Sequence, residues 1–277
     1  MARKRRIHSL TAAARHLFVF VAALAFFIPS TASAAPRWVD RPITLPRLVF
    51  AGNVGLGVAH ADPGGPRSLT GPGLNLEGAL GITDNVELGL RTGVRFGDEA
   101  RALQADQYGR TLWTETYGTR FSTGANPEFR VRWNFYSGSV AEVGLDARVY
   151  LPFEDGSRIG FMAGLPLAFH VADFMRIDTG VYLPVVFTDP EFVAFSIPGY
   201  FWFQTSSRFW LGPMSALRIV DNGPGPTETD LLLGFGMGYQ VAPAVDLKWQ
   251  LYFPRINQDA GARTFGGGFG VEFRIGE

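Results

Sequence analysis

The stretch LEGALGITDNVELGLRTGVRFG, residues 76–97, carries the information that decides the fold. Two runs of alternating apolar and polar residues flank a three-residue turn, Thr83-Asp84-Asn85. In the second run Val86, Leu88, Leu90, Val94 and Phe96 share one face with Thr92. Glu87, Arg91 and Arg95 share the other, spaced by Gly89 and Gly93. Successive residues of a strand point to opposite sides, so this is a hairpin with one greasy face and one charged face. A soluble sheet buries the greasy face. A sheet rolled into a membrane barrel turns it outward to lipid and encloses the charges.

The residues N-terminal to this hairpin favour the membrane. Arg3, Lys4, Arg5 and Arg6 form a basic start, LFVFVAALAFFI (17–28) is an apolar core, and PSTASA (29–34) ends in small residues. That is the layout of a cleavable signal peptide over 1–34, with cleavage before Ala35. As a helix its twelve-residue core rises only about 18 Å, against the roughly 30 Å of hydrocarbon that a membrane anchor must cross. Removing it takes away five basic residues and no acidic ones. The mature chain then holds 20 basic against 25 acidic residues, a net charge of −5, which disfavours nucleic acid as a partner. There is no cysteine, so neither a lipoprotein anchor nor a disulfide framework is available. After Ala35 no run approaches 18 apolar residues, so a membrane can be crossed only by strands.

Period-two alternation continues to the C-terminus. It predicts twelve strands, near 46–59, 73–82, 86–97, 127–136, 141–152, 158–169, 174–186, 192–203, 208–220, 230–239, 245–254 and 264–276. Connections at one end are short: 83–85, 137–140, 170–173, 204–207 and 240–244. At the other end several are long, including 60–72, 98–126, 221–229 and 255–263, although 154–158 and 188–191 are short there too. Short turns at one end and longer loops at the other are the plan of an outer-membrane barrel with its turns in the periplasm. The expected fold is therefore all-β: a single transmembrane antiparallel up-and-down β-barrel of about twelve strands over 46–277, preceded by the signal peptide and a short periplasmic segment, 35–45.

Strand direction then places aromatic residues at the two membrane interfaces. Phe96, Phe129, Phe187, Phe253 and Phe265 fall at the outer one, and Phe135, Phe169, Phe203, Phe209 and Tyr239 at the periplasmic one, as aromatic girdles require. The chain resembles the outer-membrane β-barrel class of Gram-negative bacteria, and GITDNVELGLRTG (81–93) looks like the hairpins of poorly characterised porin-like transporters. GFGVEFRIGE (268–277), with Phe269, Val271, Phe273 and Ile275 on one face, is similar to the C-terminal assembly signal of such barrels. It departs from the usual terminal aromatic by ending in Gly276 and Glu277. The resemblance implies an outer-membrane location, contact with membrane lipid and lipopolysaccharide, insertion by the barrel-assembly machinery, and small polar solutes as cargo.

Parity assigns the inward face. Its basic residues are Arg47, Arg91, Arg95, Arg130, Arg132, Arg148, Arg158, Arg176, Arg208, Arg218, Lys248 and Arg274. Its acids are Glu77, Glu87, Glu128, Glu142, Asp146, Asp178, Asp246 and Glu272. These charges either pair into ladders that brace the lumen, or their basic excess makes a pore that favours anions. Inward glycines leave the wall thin, which widens a channel or seats a plug. The candidate plug is 98–126; the alternative for that stretch is a solvent-facing β-extension. Only His60 and His170 survive maturation. His60, near Asp62 and Ser68, is the one place where a rim hydrolase could begin, and no HExxH or GxSxG motif exists. Asp221, Asn222, Glu228 and Asp230 could gather Ca²⁺, or simply keep a Gly/Pro loop soluble. No catalytic residue, metal or cofactor is assigned. The expected function is a passive porin-like channel, with a plugged barrel of structural or surface-binding role as the alternative.

Overall fold

The computed structural model describes residues 36–61, 69–95, 104–105, 111–112, 125–152, 159–187, 192–221, 226–257 and 263–276. The signal peptide expected over 1–34 lies outside them. So does most of 98–126, of which only Gln104–Ala105 (β4) and Thr111–Leu112 (β5) are described, paired as a sheet of their own. The remaining strands are β1 (Phe50–Ala61), β2 (Leu69–Thr83), β3 (Val86–Arg95), β6 (Ala125–Ser137), β7 (Ala141–Tyr150), β8 (Gly160–Ala172), β9 (Met175–Val186), β10 (Phe192–Gln204), β11 (Phe209–Asp221), β12 (Glu228–Ala242), β13 (Val245–Phe253) and β14 (Phe265–Ile275). Each of the twelve overlaps a strand expected from the alternation.

These twelve form a closed antiparallel barrel in which every strand pairs with its sequence neighbours, β3 with β6, and β1 with β14 from Phe50↔Ile275 to His60↔Phe265. Closure leaves no strand edge unpaired. It also separates the two faces completely. Leu88, Leu90, Val131, Trp133, Leu145 and Leu165 stand exposed on the outside, and Glu87, Arg130, Arg132, Asp146 and Arg148 are buried within. A continuous apolar exterior around a charged interior is a surface made for lipid.

The first strand starts later than its alternation suggests. Pro46–Val49 form a turn closed by Val49 N–H donating to the Pro46 carbonyl (3.1 Å), with Leu48 at φ 63°, a left-handed conformation that a leucine rarely adopts. The turn docks on β2, where Leu48 N–H donates to Gly81 O (2.8 Å) and Gly81 N–H to Val49 O (2.9 Å). A Cβ at Gly81 would overlap the Pro46 carbonyl oxygen. Gly81→Ala is therefore expected to lower stability by about 1–3 kcal/mol, the usual range for overpacking. Equilibrium unfolding in detergent, followed by tryptophan fluorescence, measures it.

Small shifts of strand ends change three assignments to the inward face. Arg47 sits in the entry turn and Arg208 in the β10–β11 turn, both exposed, because β1 and β11 begin at 50 and 209. Asp230, expected at the very start of its strand and not counted among the inward acids, is buried in the bore because β12 begins two residues earlier, at Glu228.

Candidate functional site

Ahead of β1, residues 38–45 run inside the barrel rather than beneath it. Trp38, Val39, Arg41, Ile43, Thr44 and Leu45 are all buried. Their partners Glu87, Glu142, His170, Arg176, Gln204 and Asp246 lie near the ends of strands at the short-turn side. Inside a closed barrel no strand edge is left to pair with an entering backbone, so its polar groups must find side chains. They do so at alternate residues. Val39, Ile43 and Leu45 N–H donate to Gln204 Oε1 (3.4 Å), Glu142 Oε2 (2.9 Å) and Glu87 Oε2 (3.0 Å). The carbonyls of Arg41 and Ile43 accept from Arg176 and Arg132, and His170 Nδ1 lies 2.9 Å from Val39 O while its Nε2 lies 2.9 Å from Glu142 Oε1.

Side chains complete the anchoring. The Arg41 guanidinium makes a two-pronged pair with Asp246, at 2.5 and 3.2 Å. The Trp38 ring stacks on Trp210 with centroids 5.0 Å apart and meets Trp202 edge-on at 5.8 Å. Arg41 and the Lys248 ammonium both lie over the Trp38 ring, at 5.1 and 4.8 Å. At the mouth, Arg37 and Asp40 pair at 2.6 Å, and that hydrogen bond holds the Arg37 pKa above its ordinary value. The chain RWVDRPITLP (37–46) is too apolar for a solvated tail, and this was the available sign that it belongs inside.

Across the bore the charged wall is a continuous network on β2, β3, β6 and β7. Arg130 donates to Glu77 (3.0 Å) and Glu87 (2.7 Å), Arg132 to Asp146 (2.7 Å), and Arg148 to Asp146 (2.8 Å) and Glu128 (2.7 Å). Arg91 lies 3.5 Å from Glu128 and 3.9 Å from Glu77. Further round, Arg176 pairs with Asp178 (2.8 Å), Arg218 with Asp230 (2.9 Å), and Lys248 with Glu272. Among the described residues of the wall, eight basic side chains face nine acids, and Arg41 from the entering segment makes the numbers equal. Arg47 and Arg208 leave the wall and Asp230 joins it, which shrinks the basic excess expected from parity. The side chains of Arg95 and Arg158 lie outside the described residues.

Inward glycines divide into two groups. Gly236 lies beneath the Trp202 ring, Gly238 beneath Trp210, Gly266 beneath Tyr252, Gly164 beneath Tyr182, and Gly89 beneath the Arg130 guanidinium; a Cβ at any of them would meet that side chain. These are seats for large residues, on the neighbouring strand in four cases and on the strand beyond for Trp202. No ring covers Gly55, Gly268 or Gly270, whose nearest atoms belong to backbone, Asn53 and Asn75. Along this bare wall a recess of about 760 Å³, counting water at its open mouth, runs from Trp38, Trp202 and Trp210 past Asn53, Asn75 and Gln250.

The other expected positions fall as follows. Phe129, Phe135 and Tyr239 are exposed on the outer face, and Phe169, Phe203, Phe209, Phe253 and Phe265 are half-buried on it; Phe96 lies outside the described residues. His60 Nδ1 is 2.7 Å from Thr70 Oγ1 and its ring stacks on Phe265, while Asp62 and Ser68 lie outside the described residues. The suggested Ca²⁺ cluster is dispersed, since Asp230 turns inward to Arg218 and Asp221 and Glu228 stay exposed. Among the described residues no group of His, Cys, Asp and Glu could hold a metal ion.

No protein-family model matches the sequence, and no curated protein sequence does. Solved structures do match in shape. A NanC porin aligns with TM-score 0.58 and 9% identity over 81% of this chain and 100% of its own. A KdgM porin aligns with TM-score 0.54 and 9% identity over 80% and 98%. An outer-membrane channel from Pseudomonas putida F1 aligns with TM-score 0.58 and 11% identity over 85% and 99%. At such identities the likeness is one of fold, and the fold is that of outer-membrane porin-like barrels.

Proposed function

We propose that the mature chain is an outer-membrane, porin-like channel for small polar solutes, narrowed at its periplasmic end by its own N-terminal segment. In this reading the signal peptide exports the chain, the assembly machinery inserts it, and the outer face meets lipid and lipopolysaccharide at the two aromatic belts. The single observation that carries the reading is the recess along Gly55, Gly268 and Gly270, polar space left open in a bore otherwise filled by paired side chains. Twelve strands enclose more than the eight that side chains alone fill, and less than the sixteen of a wide aqueous pore. The reading involves no catalytic step. The runner-up is a barrel that holds its segment permanently and conducts nothing; the density of hydrogen bonds to residues 39–45 is what favours it.

Planar-bilayer recording tests both. The mature barrel is expected to carry a small ion current, whose reversal potential in a KCl gradient reports the charge preference of the wall. A chain lacking residues 36–45, checked for folding by heat-shifted gel mobility, is expected to conduct several-fold more. Silence from both folded proteins would reject the channel and leave the plugged barrel.

A further inference from the structure

Both ring nitrogens of His170 face an oxygen. Nδ1 lies 2.9 Å from the Val39 carbonyl of the entering segment, and Nε2 lies 2.9 Å from Glu142 Oε1 on β7. The other Glu142 oxygen accepts from Ile43 N–H (2.9 Å) and Asn134 Nδ2 (2.8 Å), the pattern of an ionised carboxylate. Neither oxygen beside the ring has a proton to give. A neutral imidazole donates from one nitrogen only, so it would leave the other oxygen facing a lone pair. Only the doubly protonated ring satisfies both.

The surrounding charges support the same state. Among the described residues Glu142 pairs with no arginine, and the nearby cations have carboxylates of their own. Arg176, across from His170 on β9, pairs with Asp178 and donates to the Arg41 carbonyl. Arg41 pairs with Asp246, and Arg37 with Asp40, while Asp173 of the β8–β9 turn also acts on Arg37. From β6 and β10 come the uncharged Asn134 and Gln204. The cation that matches Glu142 is therefore His170. The His170 side chain is 21% exposed, so its protons exchange with water at the mouth. Histidine is the side chain whose charge ordinarily changes between about pH 5 and 8. We infer that His170 is a proton-operated latch on the entering segment. Doubly protonated, it ties Val39 to Glu142; on giving one proton to water, it lets the segment go. The hold is complete at low pH and is lost as pH rises. Glu142 acts in the opposite sense, since its protonation would free the Ile43 N–H as pH falls. This deepens the channel reading, in which the segment narrows the mouth, and rests on it for the current but not for the movement.

The chain has no cysteine, so nitroxide labels can be attached at Pro36→Cys and Val241→Cys, both exposed. Pulsed EPR on the mature protein in phosphatidylcholine vesicles reads the distance between them. One narrow distance is expected at pH 5.5. At pH 8.5 the withdrawn fraction is expected to rise about tenfold, the effect of one hydrogen bond to a charged group. His170→Gln, with no charge to lose, is expected to show the withdrawn fraction of pH 8.5 at both values. His170→Arg, charged at both, is expected to stay seated at both. A distance that ignores pH overturns the latch, and so does release on acidification. A pH step that persists in His170→Gln overturns it too. Should that variant fail to fold, release of His170→Arg at pH 8.5 has the same force. Bilayer current from the same preparations separates the two ideas: movement without current rejects the channel and leaves the latch, and current with an unmoved segment rejects the latch and leaves the channel.

Discussion

Asp146→Ala is expected to destabilise the barrel by about 3–5 kcal/mol, the range for removing one member of a buried ion pair. Asp146 is buried and accepts from both Arg132 and Arg148, each of them also buried. Arg148 keeps Glu128 at 2.7 Å, and Arg132 keeps a long contact with Glu87 at 4.0 Å. The alanine thus leaves a cation pair short of one negative charge in a space with little water. Arg132→Met combined with Asp146→Leu removes charge of both signs and is expected to recover a large part of the loss. Equilibrium unfolding in urea from lipid vesicles measures both variants. A loss below about 1 kcal/mol for Asp146→Ala, the range of exposed pairs, would mean that water reaches the network freely.

Val131→Arg is expected to lower stability by roughly 2–4 kcal/mol, the penalty for arginine on the lipid face near the bilayer midplane. Val131 lies midway along β6 and is 48% exposed, directly between the buried Arg130 and Arg132. The same substitution on a water-facing strand would change little, so this variant measures the solvent outside the barrel. Its loss is expected to shrink for Phe135→Arg, four residues nearer the turn, because the penalty falls toward the interface. Equal stability of Val131→Arg and the parent protein would place this face in water.

What could be read in advance follows from how the two environments act on a strand. Lipid and the enclosed bore impose opposite polarity on successive residues, so each position of Val86–Phe96 reports its own side, and all twelve strands are visible in the alternation. Strand ends carry no such signal. Position 208 could extend β11 by parity alone, yet the turn claims it; Asp230 stands where Gly/Pro loop and strand meet in the sequence, yet β12 begins two residues before it. The partners of each charge were equally hidden, because they depend on register between strands far apart in sequence. Arg130 reaches Glu87 on the adjacent strand and Glu77 on the one beyond, across the undescribed connection that joins β3 to β6.

The entering segment was the least legible part. It has no periodicity, two prolines interrupt it at 42 and 46, and its partners lie up to 205 residues away, as in Arg41 with Asp246. Its apolar residues argued for burial without saying where. Residues 98–126 were open to two readings, a plug or a solvent-facing extension, and most of them lie outside the described residues; among the described residues it is the N-terminal segment that enters the bore.

That segment also inspects the finished sheet. Its backbone is satisfied only if Glu87, Glu142, Arg132, Arg176 and Gln204 all point inward at the right height, and its arginine only if Asp246 does. A slip of one residue in any of those strands turns the required side chain out to lipid. A misthreaded cylinder therefore has nothing to offer the segment ahead of its first strand, and correct closure is rewarded in one step by residues made before any of the strands.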